Sequence, residues 1–154
     1  MPAPPRHLFA DVGRSIFDET CAWLAADPTS PIRRHTPATE DADAVIDVRG
    51  IVQHPHRDVQ LDDLPALLRP RKGRLGLVDT EKVFSSVTRE GDIYAARHVD
   101  RLRGAAIIVR PDQHVPHVLP LDDRAGPTDY FAGVLSITAI HRSEPAPAAT
   151  SVRT

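Results

Sequence analysis

Ala105-Ala106-Ile107-Ile108-Val109-Arg110-Pro111-Asp112-Gln113-His114-Val115-Pro116-His117-Val118-Leu119-Pro120-Leu121 is the stretch from which the fold class follows. Its first five residues are apolar and rich in β-branched side chains, as a buried strand requires. Arg110 to Gln113 carry proline at a turn position, and the apolar residues that return after them predict an antiparallel hairpin. Pro116 and Pro120 cannot donate to a ladder, and four residues apart they weaken the same edge, so the return strand is expected on the outside of its sheet. Val115, His117, Leu119 and Leu121 then share one face, and His114, Pro116, Val118 and Pro120 the other.

Outward from the hairpin, Phe131, Val134, Leu135 and Thr138 recur at i, i+3, i+4, i+7 and predict a last helix from about Thr128 to Ile140. Thr128 is its expected cap, and Asp129 sits where the helix dipole favours an acid. Upstream, residues 42–53 are close to continuously apolar, which fits a central strand covered on both faces. Arg6 to Val12 reads as a short strand. Ser15-Ile16-Phe17-Asp18 reads as a capped helix start, with Phe17, Cys21 and Leu24 on the apolar face and Pro28 and Pro31 at the end. Leu61 to Leu68 reads as a short helix with Pro65 near its first turn, and Asp92 to Ala96 as a strand. Leu75 to Phe84 is mixed in character. The order is that of an α/β, thioredoxin-like domain: a central mixed β-sheet flanked by helices, then a C-terminal β-hairpin plus helix.

A chain of 154 residues, 41% of them hydrophobic, fits one domain with one core. The folded part is expected over residues 6–141, with disordered tails at 1–5 and 142–154 where prolines and small residues gather. A net charge of −2 gives no pull towards nucleic acid or an anionic membrane. No apolar run approaches the roughly 20 residues that span a bilayer, and the start Met1-Pro2-Ala3-Pro4-Pro5-Arg6 has no apolar signal core, so a cytoplasmic protein is expected. The single cysteine, Cys21, allows neither an internal disulfide nor a Cys-x-x-Cys pair.

Few residues offer chemistry. Cys21 would be a nucleophile only if a helix N-terminus, a cation or a metal stabilised its thiolate, and its place well inside a helix on the apolar side indicates packing instead. His54 and His56 share one face of an extended segment, with Asp58 close by, but no third metal ligand is evident and Pro55 marks a loop. His114 and His117 point to opposite faces of a strand. Arg69, Arg71, Lys72 and Arg74 form a basic loop that could hold an anion or a partner's acidic surface. The competing reading is a solvated turn neutralised by Asp62, Asp63, Asp79 and Glu81. The pairs Asp62-Asp63 and Asp122-Asp123 sit where helix capping accounts for them.

Three segments resemble one family. They are Asp43 to Arg49; Leu67 to Asp79 with Glu81-Lys82-Val83-Phe84; and Ile108-Val109-Arg110-Pro111-Asp112-Gln113 with His117-Val118-Leu119-Pro120-Leu121. Together, over about Phe9 to Leu135, they are similar to the C-terminal domain of FAD-dependent aromatic hydroxylases of the phenol 2-monooxygenase and hydroxybenzoate monooxygenase type. The resemblance implies a thioredoxin-like fold without redox cysteines that helps subunits associate, beside domains that use FAD and NAD(P)H to hydroxylate a phenolic ring. This chain has no Gly-x-Gly-x-x-Gly turn to cradle the FAD pyrophosphate. The expected function is therefore a noncatalytic association domain that binds no cofactor itself and pairs as a homodimer or with a flavoprotein monooxygenase chain. The alternative is one piece of a flavin-dependent aromatic-ring monooxygenase, active only when a separate FAD-bearing chain is present. Small-molecule binding between the sheet and the first helix is a third possibility on which the sequence is silent.

Overall fold

The computed structural model describes residues 5–9, 14–88 and 91–142, with side chains over 16–87 and 91–135. The expected terminal tails fall almost wholly outside those residues, as do Ala10 to Val12 of the expected first strand.

The hairpin forms as β8 (Ala105–Ile108) and β9 (His117–Pro120), antiparallel, with Ala106 opposite Leu119 and Ile108 opposite His117. β1 (Pro5–Phe9) runs antiparallel beside β8 and parallel beside β2 (Asp47–Val52). β5 (Val83–Ser85) pairs in parallel with β2. The sheet order is β5-β2-β1-β8-β9, so the proline-bearing strand is an outer one, as its missing N–H groups demand. Two two-stranded ribbons stand apart from this sheet: β3 (Arg71–Lys72) with β4 (Leu77–Val78), and β6 (Val87–Thr88) with β7 (Gly91–Asp92).

α1 (Arg14–Ala26) and α4 (Ala125–Arg142) pack against one face of the sheet. The core between them joins Phe17, Cys21 and Leu24 to Ile46 and Val48, to Ala106 and Ile108, and to Leu121 and Phe131. The buried Thr20 hydroxyl donates to the Leu121 carbonyl at 3.0 Å, tying α1 to the end of β9. A smaller cluster covers the opposite face, where Ile51 meets Tyr94 with Ile93, Val99 and Ile107 around them. This mixed α/β architecture agrees with the thioredoxin-like arrangement.

Several elements differ from the sequence expectation, each for a local reason. Helix α1 starts at Arg14, so Ser15 lies inside it and is not its cap. Pro31 does more than follow that helix: it opens a short second one, α2 (Pro31–His35), capped by Ser30, whose Oγ accepts from the Arg33 N–H at 3.3 Å and donates to the Leu24 carbonyl at 2.9 Å. The strand expected from residue 42 begins only at Asp47, because a turn closed by Ala44 N–H to the Asp41 carbonyl precedes it. Leu61 to Leu68 is not one helix but two 3₁₀ turns, Leu61–Asp63 and Ala66–Leu68. Pro65 has no N–H to continue the first, and it holds Leu64 extended at ψ 145°. Asp92 to Ala96 is not a strand: the Asp92 carboxylate accepts from the Tyr94 N–H at 2.8 Å and starts the one-turn helix α3 (Ile93–Ala96). The last helix begins at Ala125, ahead of Thr128. Its cap is Asp123, which accepts from the Gly126 N–H at 3.0 Å, whereas the Thr128 hydroxyl donates back to the Arg124 carbonyl. Of its expected apolar face Phe131 is buried and Leu135 partly so, Val134 is exposed, and the Thr138 side chain lies outside the described residues.

Candidate interaction site

The basic segment is a hairpin arm. β3 and β4 pair Arg71 with Val78 and Lys72 with Leu77, and residues 73–76 make the turn. Gly73 and Gly76 stand at φ +63° and +61°, a left-handed backbone that side chains disfavour, and the Gly76 N–H closes on the Gly73 carbonyl at 3.1 Å. Arg74 and Leu75 are thereby placed at the tip.

The base of the arm is fastened by charge. Lys72 Nζ lies 2.6 Å from Asp43 Oδ2 and 2.8 Å from Asp79 Oδ2. Lys82, just ahead of β5 and only 2% exposed, reaches the same Asp43 oxygen at 2.6 Å and Asp79 at 3.7 Å, and it contacts Asp47 at the start of β2. Arg49 Nε holds the other oxygen of Asp47 at 3.0 Å. The arm, the turn before β2 and the first residues of β2 are thus drawn onto one buried ammonium. A cation so deeply buried is tolerated only with partners of this kind.

Burial by itself would raise the Asp43 carboxyl, but hydrogen bonds from Lys72 and Lys82 outweigh it and hold the group below the usual carboxylate range. The hydrogen bond from Lys72 likewise keeps Asp79 low against the effect of burial. Hydrogen bonds to Asp43 and Asp79 push Lys72 above the ordinary lysine range. The backbone adds two ties. The Gly73 N–H donates to the Asp41 carboxylate at 3.2 Å, and the Asp79 N–H donates to the Pro70 carbonyl at 2.9 Å.

The four basic residues named from the sequence therefore divide. Arg69 is paired with Asp62 at 3.2 Å, Arg71 donates to the Gly76 carbonyl at 3.1 Å, and Lys72 is committed to the clamp. Arg74 is exposed and has no hydrogen bond or ion pair among the described residues. Of the four acids named as counter-charges, Asp62 and Asp79 take that role, while Asp63 and Glu81 are exposed. Sequence reading missed Asp43, Asp47 and Lys82. The signal was present, since Asp47 is an acid in a strand segment rich in apolar residues, where burial calls for a cation, and Arg49 two residues on supplies only part of it. Nothing local says which lysine supplies it.

Cys21 is buried in the core, and burial, with Asp18 adding to it, pushes its thiol up to about 12, away from the thiolate. His54 and His56 are exposed beside the 3₁₀ turn His56–Asp58, and no group of three or more potential metal ligands converges among the described residues. His117 stands edge-on to the Tyr130 ring with centroids 5.2 Å apart, while His114 lies before β9 in the connecting loop.

With this geometry in hand, comparison with known proteins identifies the family. Residues 9–139 match the phenol hydroxylase C-terminal dimerisation domain. The chain belongs to this family. A 3-hydroxybenzoate 4-monooxygenase of Comamonas testosteroni is 47% identical over 113 residues, covering 72% of this chain and 18% of the relative. An FAD-dependent monooxygenase, terD, of Aspergillus terreus (strain NIH 2624 / FGSC A1156) is 30% identical over 105 residues, 66% of this chain and 17% of the relative. The chain thus spans less than a fifth of the length of these curated relatives.

In this phenol hydroxylase-type domain the segment after β2 offers no cradle for a flavin pyrophosphate. The parallel strand β2 leads into His54-Pro55-His56 and a 3₁₀ turn, not into a glycine turn and a helix N-terminus that could hold a pyrophosphate. The cavity between α1, α4 and the sheet, lined by Trp23, Val48, Ala106 and Phe131, is about 60 Å³ and apolar. That cavity is smaller than the roughly 300 Å³ common for ligand pockets, whereas an open recess lined by Glu19, Trp23, Asp27 and Arg124 measures about 390 Å³. No helix among the described residues is long and apolar enough to cross a membrane.

Proposed function

We propose that this chain is a noncatalytic association domain that pairs with a second copy of itself in the cytoplasm and binds no cofactor of its own. The family match over residues 9–139 carries this reading, because it spans nearly the whole described chain and names self-association as the family's role. The absence of a phosphate-binding glycine turn supports the second part. Sedimentation velocity of the purified 154-residue protein tests it: a dimer with no visible absorption band is expected. A monomer at every concentration, or a yellow protein with near-stoichiometric flavin, would overturn it.

One observation favours a second reading. The 47% identity is to part of a whole monooxygenase, which supports a role in aromatic-ring hydroxylation alongside an FAD-bearing chain, with FAD and NAD(P)H acting there. Mixing the protein with such a chain and assaying NAD(P)H oxidation with a phenolic substrate separates the two readings, since a bystander domain leaves the rate unchanged.

A further inference from the structure

We propose that the β3–β4 arm is the contact through which two copies of this chain associate, each arm seated on the acidic 3₁₀ segment of the other. The inference rests on the self-association reading above and adds the surface that performs it.

The arm exposes apolar side chains that a folded chain normally covers. Leu75 is 79% exposed, Leu77 67% and Val78 44%, all within four residues of one another, with Arg71 and Arg74 beside them. Small flexible turns carry polar tips, and a cluster of leucine and valine on a protruding hairpin marks a contact surface. Nor is this arm loose. The clamp of Lys72 on Asp43 and Asp79 and the Gly73 tie to Asp41 fix it before any partner arrives, which lowers the ordering cost of association.

The complementary surface lies on the same chain. Leu61 is 48% exposed and is followed by the exposed Asp62 and Asp63; Asp58 pairs with Arg57 at 3.8 Å and Asp62 with Arg69 at 3.2 Å, so among the described residues Asp63 is the acid of this segment with no such pair. This segment has the opposite sign to the arm and the same apolar character. The Arg69–Asp62 pair at 3.2 Å places it next to the arm's base, so the cationic-apolar and acidic-apolar patches adjoin. One face carrying two complementary patches side by side is what a two-fold dimer needs, because rotation sets each arm opposite the other copy's acidic segment. Charge complementarity of this sort selects the partner and its register. Sheet extension through β9, one of the two outer strands, is disfavoured by Pro116 and Pro120.

The test is sedimentation velocity of the full chain over a concentration series, with circular dichroism to establish that each variant is folded. Leu75→Glu with Leu77→Glu should weaken the dimer by at least about 30-fold, the size of losing one interface anchor. Arg74→Glu should weaken it as well, and Arg74→Glu combined with Asp63→Arg should restore it. If the wild type is monomeric, the self-association reading itself fails. If the wild type is dimeric and the leucine variants are equally so, self-association stands and the arm is overturned as its surface, leaving it for a different occupant such as a flavin-bearing chain. If Arg74→Glu dissociates the dimer and the charge swap does not restore it, the pairing with the acidic segment is wrong.

Discussion

Lys82 illustrates how much depends on one side chain. Its ammonium is almost wholly removed from water and is shared by Asp43, Asp47 and Asp79, so removing it leaves these carboxylates with only the more exposed Lys72 and Arg49 to balance them. Lys82→Met should cost about 3–5 kcal/mol in urea unfolding, the usual penalty for breaking a buried pair from one side; a cost below about 1 kcal/mol would place the ammonium in water. The clamp also makes stability pH-dependent. Asp43 and Asp79 are depressed in the folded protein, so their contribution is present above the unfolded carboxylate value of about 3.9 and fades as pH falls through their lower folded values. Lys72 is raised, and its contribution is full below the unfolded lysine value of about 10.4 and fades as pH rises beyond it. The part of the stability lost in Asp43→Asn should therefore be constant between these limits and shrink below about pH 4. Separate from it are the losses from His35, lowered by burial, as pH falls through the imidazole range and from the raised Cys21 thiol as pH rises past the ordinary thiol value. A loss in Asp43→Asn that already shrinks at neutral pH would contradict the assignment. Cys21→Ser should cost about 1–3 kcal/mol, because a hydroxyl is placed in an apolar core, and the folded wild-type thiol should react with a thiol reagent far more slowly than a free cysteine.

At the level of the element, turns and caps decide where strands and helices stop. No neighbouring atom stands within 4 Å of where a Cβ would lie on Gly73 or Gly76, so the cost of alanine at either is conformational, about 1–2 kcal/mol at these left-handed angles. Gly50 is the opposite case. Its missing side chain lets Leu68 and Phe17 close on β2, and a Cβ there would stand 2.9 Å from Leu68 Cδ1, so Gly50→Ala should destabilise by crowding. Asp123→Ala should cost about 1 kcal/mol by uncapping α4, measurable by thermal unfolding, whereas Thr128→Ala should cost less. The hairpin of β8 and β9 was legible because its pattern is local: an apolar run, a turn proline, an apolar return. The true starts of α3 and α4 were less so, since Asp92 and Asp123 had several acids and hydroxyls competing with them in sequence, and only the backbone geometry shows which side chain reaches a free N–H.

For the whole molecule, the sheet leaves two outer strands and an arm. β9 is closed to another strand by Pro116 and Pro120, so a dimer of this chain should not form one continuous sheet across it, and a structure of the dimer with strand pairing on the outer edge of residues 117–120 would contradict this. By itself the sequence determined the α/β class, the hairpin with its outer strand, the apolar placement of Cys21 and the lack of a phosphate-binding glycine turn. These follow from periodicity, proline chemistry and short motifs, all of which act between residues near one another in the chain. Only the tertiary structure decided that Lys72 is bound inward while Arg74 faces out, and that Asp43, Asp47, Asp79 and Lys82 form one clamp. Lys82 and Asp47 are separated by 35 positions, and a salt bridge depends on distance and burial, which become defined only when β2, β5 and the arm pack together.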